Sequence, residues 1–376
     1  MKSVYIKRGI LIISLFITII AYVLVSQEYI FYNFDSHTVR VKQFYQEEND
    51  SLDIVFLGAS EVYTGYSPAI AYDEYGVTSY PFVLGANPAS LYKSQLKEVL
   101  SRQTPQLVVV EINGFIYPDD DMLMNEEKIR RYVDNIPMSK NKIESILEVD
   151  YEDKTSCFLP FIKYHGISTD LRAVSNNLNN KVQIVDKVSK LKGMSTYTHM
   201  EDVSNGLIDI SGDKTKLPLT RKSEEYLIDF LDFCESNNID NVLFVRFPHP
   251  VKEGVESYDC YARSNTVESI VKEHGFQYIG FDDNIDSIGI NYRMDFYDVN
   301  HLNVYEQIKM TRFFTSYIIR QFGINPKEQT KENIEFWEES VRYSRAYLSE
   351  MKERTTSNTE DWPYENVELI NEICTK

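Results

Sequence analysis

Cysteine is scarce in this chain: four residues in 376, at Cys157, Cys234, Cys260 and Cys374. They form no C-x-x-C pair, which excludes a zinc ribbon, and they are too sparse for a disulfide scaffold. One disulfide has room to form, and the spacing does not say which cysteines would pair. Glycine (15) and proline (12) are also few, and no tract repeats or falls to low complexity. Basic residues are outnumbered, 39 against 57 acidic ones, for a net charge of −18. Phosphate binding needs clustered Lys and Arg, so nucleic acid is not expected as a partner. The charge argues more weakly against any other polyanion, because a site can be locally basic. No HExxH, Walker loop or carboxylate cluster at metal spacing occurs, so no metal, nucleotide or other cofactor is expected.

What the chain does have is apolar and aromatic bulk. Hydrophobic residues make up 43%, with 27 Tyr and 20 Phe. That fills a sizeable core and is not a disordered composition.

One long apolar run stands at the start. Lys2, Lys7 and Arg8 precede Gly9 to Ser26, which carries no charge and approaches the ~20 residues that span a bilayer. Tyr22, Tyr29 and Tyr32 fall where an interfacial aromatic belt would lie. No small-x-small cleavage site follows, so an uncleaved anchor is expected rather than a signal peptide. The basic leader puts the N-terminus in the cytoplasm and the rest outside the cell, as a single-pass membrane protein. Residues 1–30 then form leader and anchor, and 31–52 a juxtamembrane segment.

Strands and helices alternate after that. Strands are expected at Asp53–Leu57, Ser79–Leu84, Gln106–Ile112, Asn241–Phe247 and Gln277–Phe281. Helices are expected at Asn87–Arg102, Lys222–Asn237, a segment ending Val267–His274 before Gly275, and Val304–Phe322. This rhythm predicts an α/β domain over 53–322, a parallel sheet with helices on both faces. Residues 114–218 break the rhythm and read as an insertion. Residues 323–376 read as a charged helical extension with a loose tail.

The stretch Asp53–Pro68, DIVFLGASEVYTGYSP, organises the domain. Small residues after a buried strand turn the chain sharply and expose Ser60 at the carboxyl edge of the sheet, where open α/β sheets bind ligands. Ser60 can serve there as a nucleophile if a histidine reaches it, or as a helix N-cap. Of six histidines, His301 has a distinctive setting, in Tyr297-Asp298-Val299-Asn300-His301. An aspartate three residues ahead can fold back, accept a hydrogen bond from the imidazole and fix its tautomer.

The GAS turn after the first strand and the DVNH loop before the last helix together resemble the SGNH/GDSL hydrolase family, over about Asp53 to Phe322. The resemblance implies a flavodoxin-like three-layer fold. It implies Ser60 as nucleophile, His301 as general base and acid, and Asp298 as the carboxylate that orients it. It also implies an oxyanion hole from the N–H of Ser60, Gly85 after the second strand and Asn113 after the third. Taken singly, Gly85 fits a tight turn equally well, and Asn113 a cap or Asx-turn. The chain departs from the family where GDS reads Gly58-Ala59-Ser60 followed by Glu61, and where the GxND block reads Glu111-Ile112-Asn113-Gly114.

The anchor, the insertion and the GASE turn are similar to the membrane-anchored extracellular branch of that family. That branch includes the D-alanyl transfer protein of teichoic-acid modification and proteins that act beside membrane-bound O-acyltransferases on surface polysaccharide. The resemblance therefore implies a serine esterase or acyltransferase acting on acyl esters, foremost O-acetyl, of a cell-surface glycan. The alternatives are D-alanyl transfer to teichoic acid, or a non-catalytic glycan-binding partner of a membrane O-acyltransferase. His165 in the insertion, His249 between two prolines, and Tyr63, which could stack on a sugar face, are further candidates for substrate contact. Each has an equally simple structural role.

Overall fold

Alternate residues of a strand point to opposite faces, and this pleat sorts the apolar runs into two cores. The protein is described here by a computed structural model, which covers residues 2–29, 35–149, 151–254 and 256–356. Its five strands are β1 Ile54–Leu57, β2 Ser79–Pro81, β3 Leu107–Glu111, β4 Val242–Arg246 and β5 Gln277–Gly280. All pair in parallel, in the order β2-β1-β3-β4-β5. Val55, Leu57, Val108, Val110 and Phe244 enter one core. Ile54, Phe56, Leu107, Val109, Leu243 and Val245 enter the other.

Helices cover both faces. Tyr92–Arg102 and Arg221–Ser236 pack on the first through Leu96, Val99, Leu227 and Leu231. Val304–Phe322 packs on the second through Met310, Phe314 and Ile318. The chain is thus an α/β protein built on a parallel sheet, with strand ends within a residue or two of expectation. The exception is β2, which stops at Pro81 rather than Leu84. β2 is an edge strand, where a proline is tolerated, and beyond Pro81 the N–H of Phe82 still reaches the Phe56 carbonyl at 2.9 Å and that of Leu84 the Gly58 carbonyl at 3.4 Å. The helix expected from Asn87 starts as a 3₁₀ turn at Ala89–Leu91 and becomes α-helical at Tyr92.

Helix Lys2–Tyr29 contains Tyr5–Val23, whose mean hydropathy of 2.0 and 19-residue length suffice to cross a membrane. Its apolar side chains are exposed along the stretch. Tyr32 of the expected aromatic belt, Cys374 and residues 357–376 lie outside the described residues.

Two segments are more integrated than their sequence suggested. The juxtamembrane segment carries helix Ser36–Phe44, started by an Asp35–Thr38 capping box. Its Val39, Arg40, Val41 and Phe44 are fully buried. The C-terminal extension carries helix Lys331–Thr356. Trp337 from that helix is buried, stacked on Tyr72 at 4.9 Å and beneath the ammonium of Lys192 at 4.1 Å. Lys192 is in turn paired with Glu47 at 2.8 Å inside the protein. Within the insertion lie short helices Glu126–Val133, Lys140–Glu148, Lys154–Phe158 and Phe161–Tyr164, then the longer Leu171–Lys190. Cys157, Cys234 and Cys260 are free thiols.

Candidate active site

The turn after β1 has little room. Gly58 has φ +147°, and a Cβ there would lie 2.5 Å from the Cβ of Glu111 at the end of β3. Only glycine lets the two strand ends approach this closely. Glu111 then binds the turn: its Oε2 accepts the N–H of Ala59 at 2.8 Å, and its Oε1 accepts the N–H of Asn113 at 2.6 Å. One buried carboxyl therefore fastens the β1 turn to the β3 loop. Burial and then the neighbouring charge of Glu61 push its pKa well up, despite the two N–H donors and Arg246.

Ser60 is the first residue of helix Ser60–Gly65, with Ala59 at the cap position. Its side chain is not used as an N-cap. Instead Ser60 Oγ lies 2.8 Å from Nε2 of His301, 241 residues away. His301 Nδ1 lies 2.9 and 3.0 Å from the two oxygens of Asp298. Asp298 Oδ1 also accepts the N–H groups of Asn300 at 2.7 Å and His301 at 2.8 Å, so the loop holds its own carboxylate in place. With Nδ1–H given to the carboxylate, Nε2 is left to accept the Ser60 O–H. Burial pulls the His301 pKa down, but the hydrogen bond to Asp298 and the charges of Glu61 and Asp298 outweigh it and raise the pKa above 6.5. Asp298 is lowered: its burial opposes ionisation, and the hydrogen bonds and charge of His301 prevail. Tyr197 meets His301 edge-on at 5.4 Å and stacks on Tyr297 at 4.1 Å, walling the imidazole from the side.

Glu61 forms the other flank of the nucleophile. Its Oε2 is 3.4 Å from Ser60 Oγ, and its Oε1 accepts the side-chain amide of Asn113. His249 Nε2 stands 3.6 Å from the same Oε1. His249 is itself fixed, with Nδ1 2.7 Å from the carbonyl of Phe247 and its backbone N–H given to Asp282 at 2.7 Å. Asp282 also holds the buried Arg246 at 3.0 Å. Burial works against the charge on Glu61, but His249, then His301, keep its pKa below the usual value.

Ser60, Glu61, Asn113, His249 and His301 share one cleft of about 400 Å³. Ile116, Tyr117, Pro250 and Val299 supply its apolar wall. Four strand-end segments meet there, as expected of the carboxyl edge of such a sheet. Three candidates lie elsewhere. Gly85 does not line the cleft; its N–H donates to His37 Nδ1 at 3.2 Å, from the juxtamembrane helix. Its neighbour Ala86 does line the cleft, in a left-handed conformation with φ +49°. Tyr63 is buried behind Ser60, with the Arg40 guanidinium over its ring at 4.0 Å, so no sugar can stack on it. His165 is exposed on the insertion, bonded to the carbonyl of Ile162 at 2.7 Å, and is not part of the cleft.

Sequence reasoning passed over Glu61 and Glu111 as functional residues. The only signal for Glu61 was its place after the nucleophile. For Glu111 it was a charge at the end of an otherwise apolar strand. Among the described residues, Asp232, Glu235 and His274 could hold a metal ion, but none of them lines the cleft. The arrangement can move a proton from a serine hydroxyl to a carboxylate-supported imidazole beside a partly apolar pocket. Neither a protein-family model nor a curated protein matches the chain.

Proposed function

We propose that the chain is an SGNH-type serine acyl-esterase or acyltransferase, anchored in the cell membrane, with its cleft outside the cell. Its substrates are acyl esters, foremost O-acetyl, of a cell-surface glycan. The observation that carries this reading is the Ser60 Oγ–His301 Nε2 contact of 2.8 Å, with Asp298 behind the imidazole. Two loops 241 residues apart in sequence meet at hydrogen-bond distance, in the nucleophile–base–carboxylate order that acyl transfer uses.

In this mechanism His301 Nε2 takes the Ser60 proton as Oγ bonds to the acyl carbonyl carbon. The resulting oxyanion is met by the backbone N–H of Ser60 and by the second N–H of the Asn113 amide, since the N–H of Ala59 is given to Glu111 and that of Val62 to the Ala59 carbonyl. Gly85 drops out of this set because its N–H is given to His37. The C–O bond to the sugar then breaks, and the leaving oxygen takes the proton from His301. A second hydroxyl, from an acceptor or from water, gives its proton to His301 and attacks the acyl carbon; the bond from that carbon to Oγ breaks, and His301 Nε2 returns the proton to Ser60. Hydrolysis and transfer share these steps and differ only in the acceptor.

A second reading, D-alanyl transfer to teichoic acid, draws on one observation. Glu61 is ionised beside the nucleophile, and such a carboxylate suits an acyl group that carries an ammonium. Comparing kcat/KM on acetyl and D-alanyl esters of one alcohol separates the two.

The reading is tested with a fluorophosphonate probe on the full chain. Labelling at Ser60 that disappears in His301→Ala is expected. A chain that stays unlabelled, with acyl-ester turnover unchanged in Ser60→Ala, means a non-catalytic glycan-binding role beside a membrane O-acyltransferase. Protease added outside intact cells is expected to digest the domain and spare the N-terminus.

A further inference from the structure

Large hydrophobic side chains are seldom exposed on this domain, and those that are gather in one place. Outside helix Lys2–Tyr29, seven of the twelve exposed ones fall between Met138 and Leu178 of the insertion. Leu171 is the most exposed, at 81%, followed within the same segment by Met138, Leu147, Leu159, Ile143 and Ile162. They sit on adjoining pieces of chain. Helix Lys140–Glu148 packs on Lys154–Phe158, which packs on Phe161–Tyr164, which packs on the turn His165–Thr169 that leads into Leu171. Exposed apolar side chains gathered on adjoining elements mark a surface that another apolar phase covers.

The cover is indicated by what lies beside the patch. Phe161–Tyr164, which carries Ile162, packs against helix Lys2–Tyr29. That helix ends its apolar stretch at Val23 and buries Ser26 just beyond. The exposed Ile162 is therefore carried by an element in contact with the helix that contains the apolar stretch. Arg172 stands exposed beside Leu171, and Lys163, whose ammonium pairs with Glu126, beside Ile162; basic side chains so placed reach the headgroup level while leucines enter the acyl boundary.

We infer that Leu147, Leu159, Ile162 and Leu171 form a ledge that rests in the interface of the bilayer crossed by Tyr5–Val23. A second contact fixes which way the cleft faces and holds it near the membrane surface. The inference rests on reading Tyr5–Val23 as a membrane span, and it is independent of the chemistry at Ser60.

The test uses the full chain in phosphatidylcholine nanodiscs with and without brominated acyl chains, which quench tryptophan on contact. Single tryptophans are introduced at exposed positions: Leu171→Trp and Ile162→Trp on the ledge, Ile13→Trp in the span, and Ile334→Trp on the C-terminal helix. The native Trp337 and Trp362 are common to all samples and cancel in the difference. Strong bromine quenching is expected at positions 13, 162 and 171, and none at 334. Quenching at 13 with 162 and 171 no different from 334 overturns the ledge while leaving the span intact, and the patch would then await a protein partner or a second copy. No quenching at 13 overturns the span and the ledge with it.

Discussion

Asn113 gives its side-chain amide to Glu61, the residue that follows Ser60, so the carboxylate beside Ser60 sets the direction of the amide at the cleft. Glu61 also adds negative charge near His301, one of the influences that raise that imidazole above 6.5. The base must be neutral to accept the serine proton. Activity should therefore rise with pH through a midpoint above 6.5. Glu61→Gln removes the charge and keeps a hydrogen-bond acceptor for Asn113. The acid limb of the kcat/KM profile is expected to move to lower pH, and an unmoved limb would show that Glu61 has no hold on His301. Asn113→Ala removes the donor itself and should lower kcat about 10²–10³-fold, with little change in KM.

Asp298 fixes the tautomer of His301 through Nδ1. Asp298→Asn offers an N–H or a neutral oxygen to that nitrogen and favours the wrong tautomer. A loss of about 10⁴-fold in kcat is expected, with an unchanged unfolding midpoint. The backbone N–H groups of Asn300 and His301 can still be met by the Asn oxygen. A variant within tenfold of the parent would remove Asp298 from the mechanism.

Gly58 stands where β1 and β3 come closest. Gly58→Ala places a methyl 2.5 Å from the Cβ of Glu111 at a φ of +147°. The backbone strain alone costs about 1–3 kcal/mol, and the clash must push Ala59 and Ser60 away from Glu111. Thermal unfolding should come earlier and fluorophosphonate labelling should be slower. Labelling at the parent rate would mean that the turn relaxes without moving Ser60.

Trp337 tests whether the C-terminal helix belongs to the fold. Trp337→Ala empties a fully buried site between Tyr72 and Lys192 and should cost about 3–5 kcal/mol in urea unfolding of the full chain. Its indole N–H has no hydrogen-bond partner, so Trp337→Phe should be much milder. Equal losses for Ala and Phe would point to a polar role for the ring instead.

The strands could be read from the chain because each is a short apolar run closed by turn residues, and both faces of a parallel sheet are buried. The final helix Val304–Phe322 has the same boundaries in sequence and structure, set by Asn303 as cap and Gly323 at φ +64°. Ser60, Asp298 and His301 were singled out because a GAS turn after the first strand and a D-x-x-H loop before the last helix together resemble the SGNH/GDSL family. Only the Asp298 part of that grouping is local, since its carboxylate binds residues two and three positions away.

What lay beyond the sequence depended on segments far apart. His37 is 48 residues from Gly85, and nothing in either stretch says that the imidazole will take that N–H. Tyr63 follows the nucleophile closely, yet helical geometry turns it inward under Arg40, where packing rather than sequence distance decides its role. Glu61 and Asn113 are 52 residues apart and meet only because β1 and β3 are neighbours in the sheet. The sequence by itself determined the order of elements, because hydrophobic periodicity and turn chemistry act over a few residues, and it offered Ser60, Asp298 and His301 through the resemblance of its GAS and D-x-x-H blocks to a known family; their meeting across 241 residues is the work of the fold. The tertiary structure alone decided which N–H groups remain free at the cleft, since buried donors are satisfied by whatever acceptor the folded chain brings within about 3 Å.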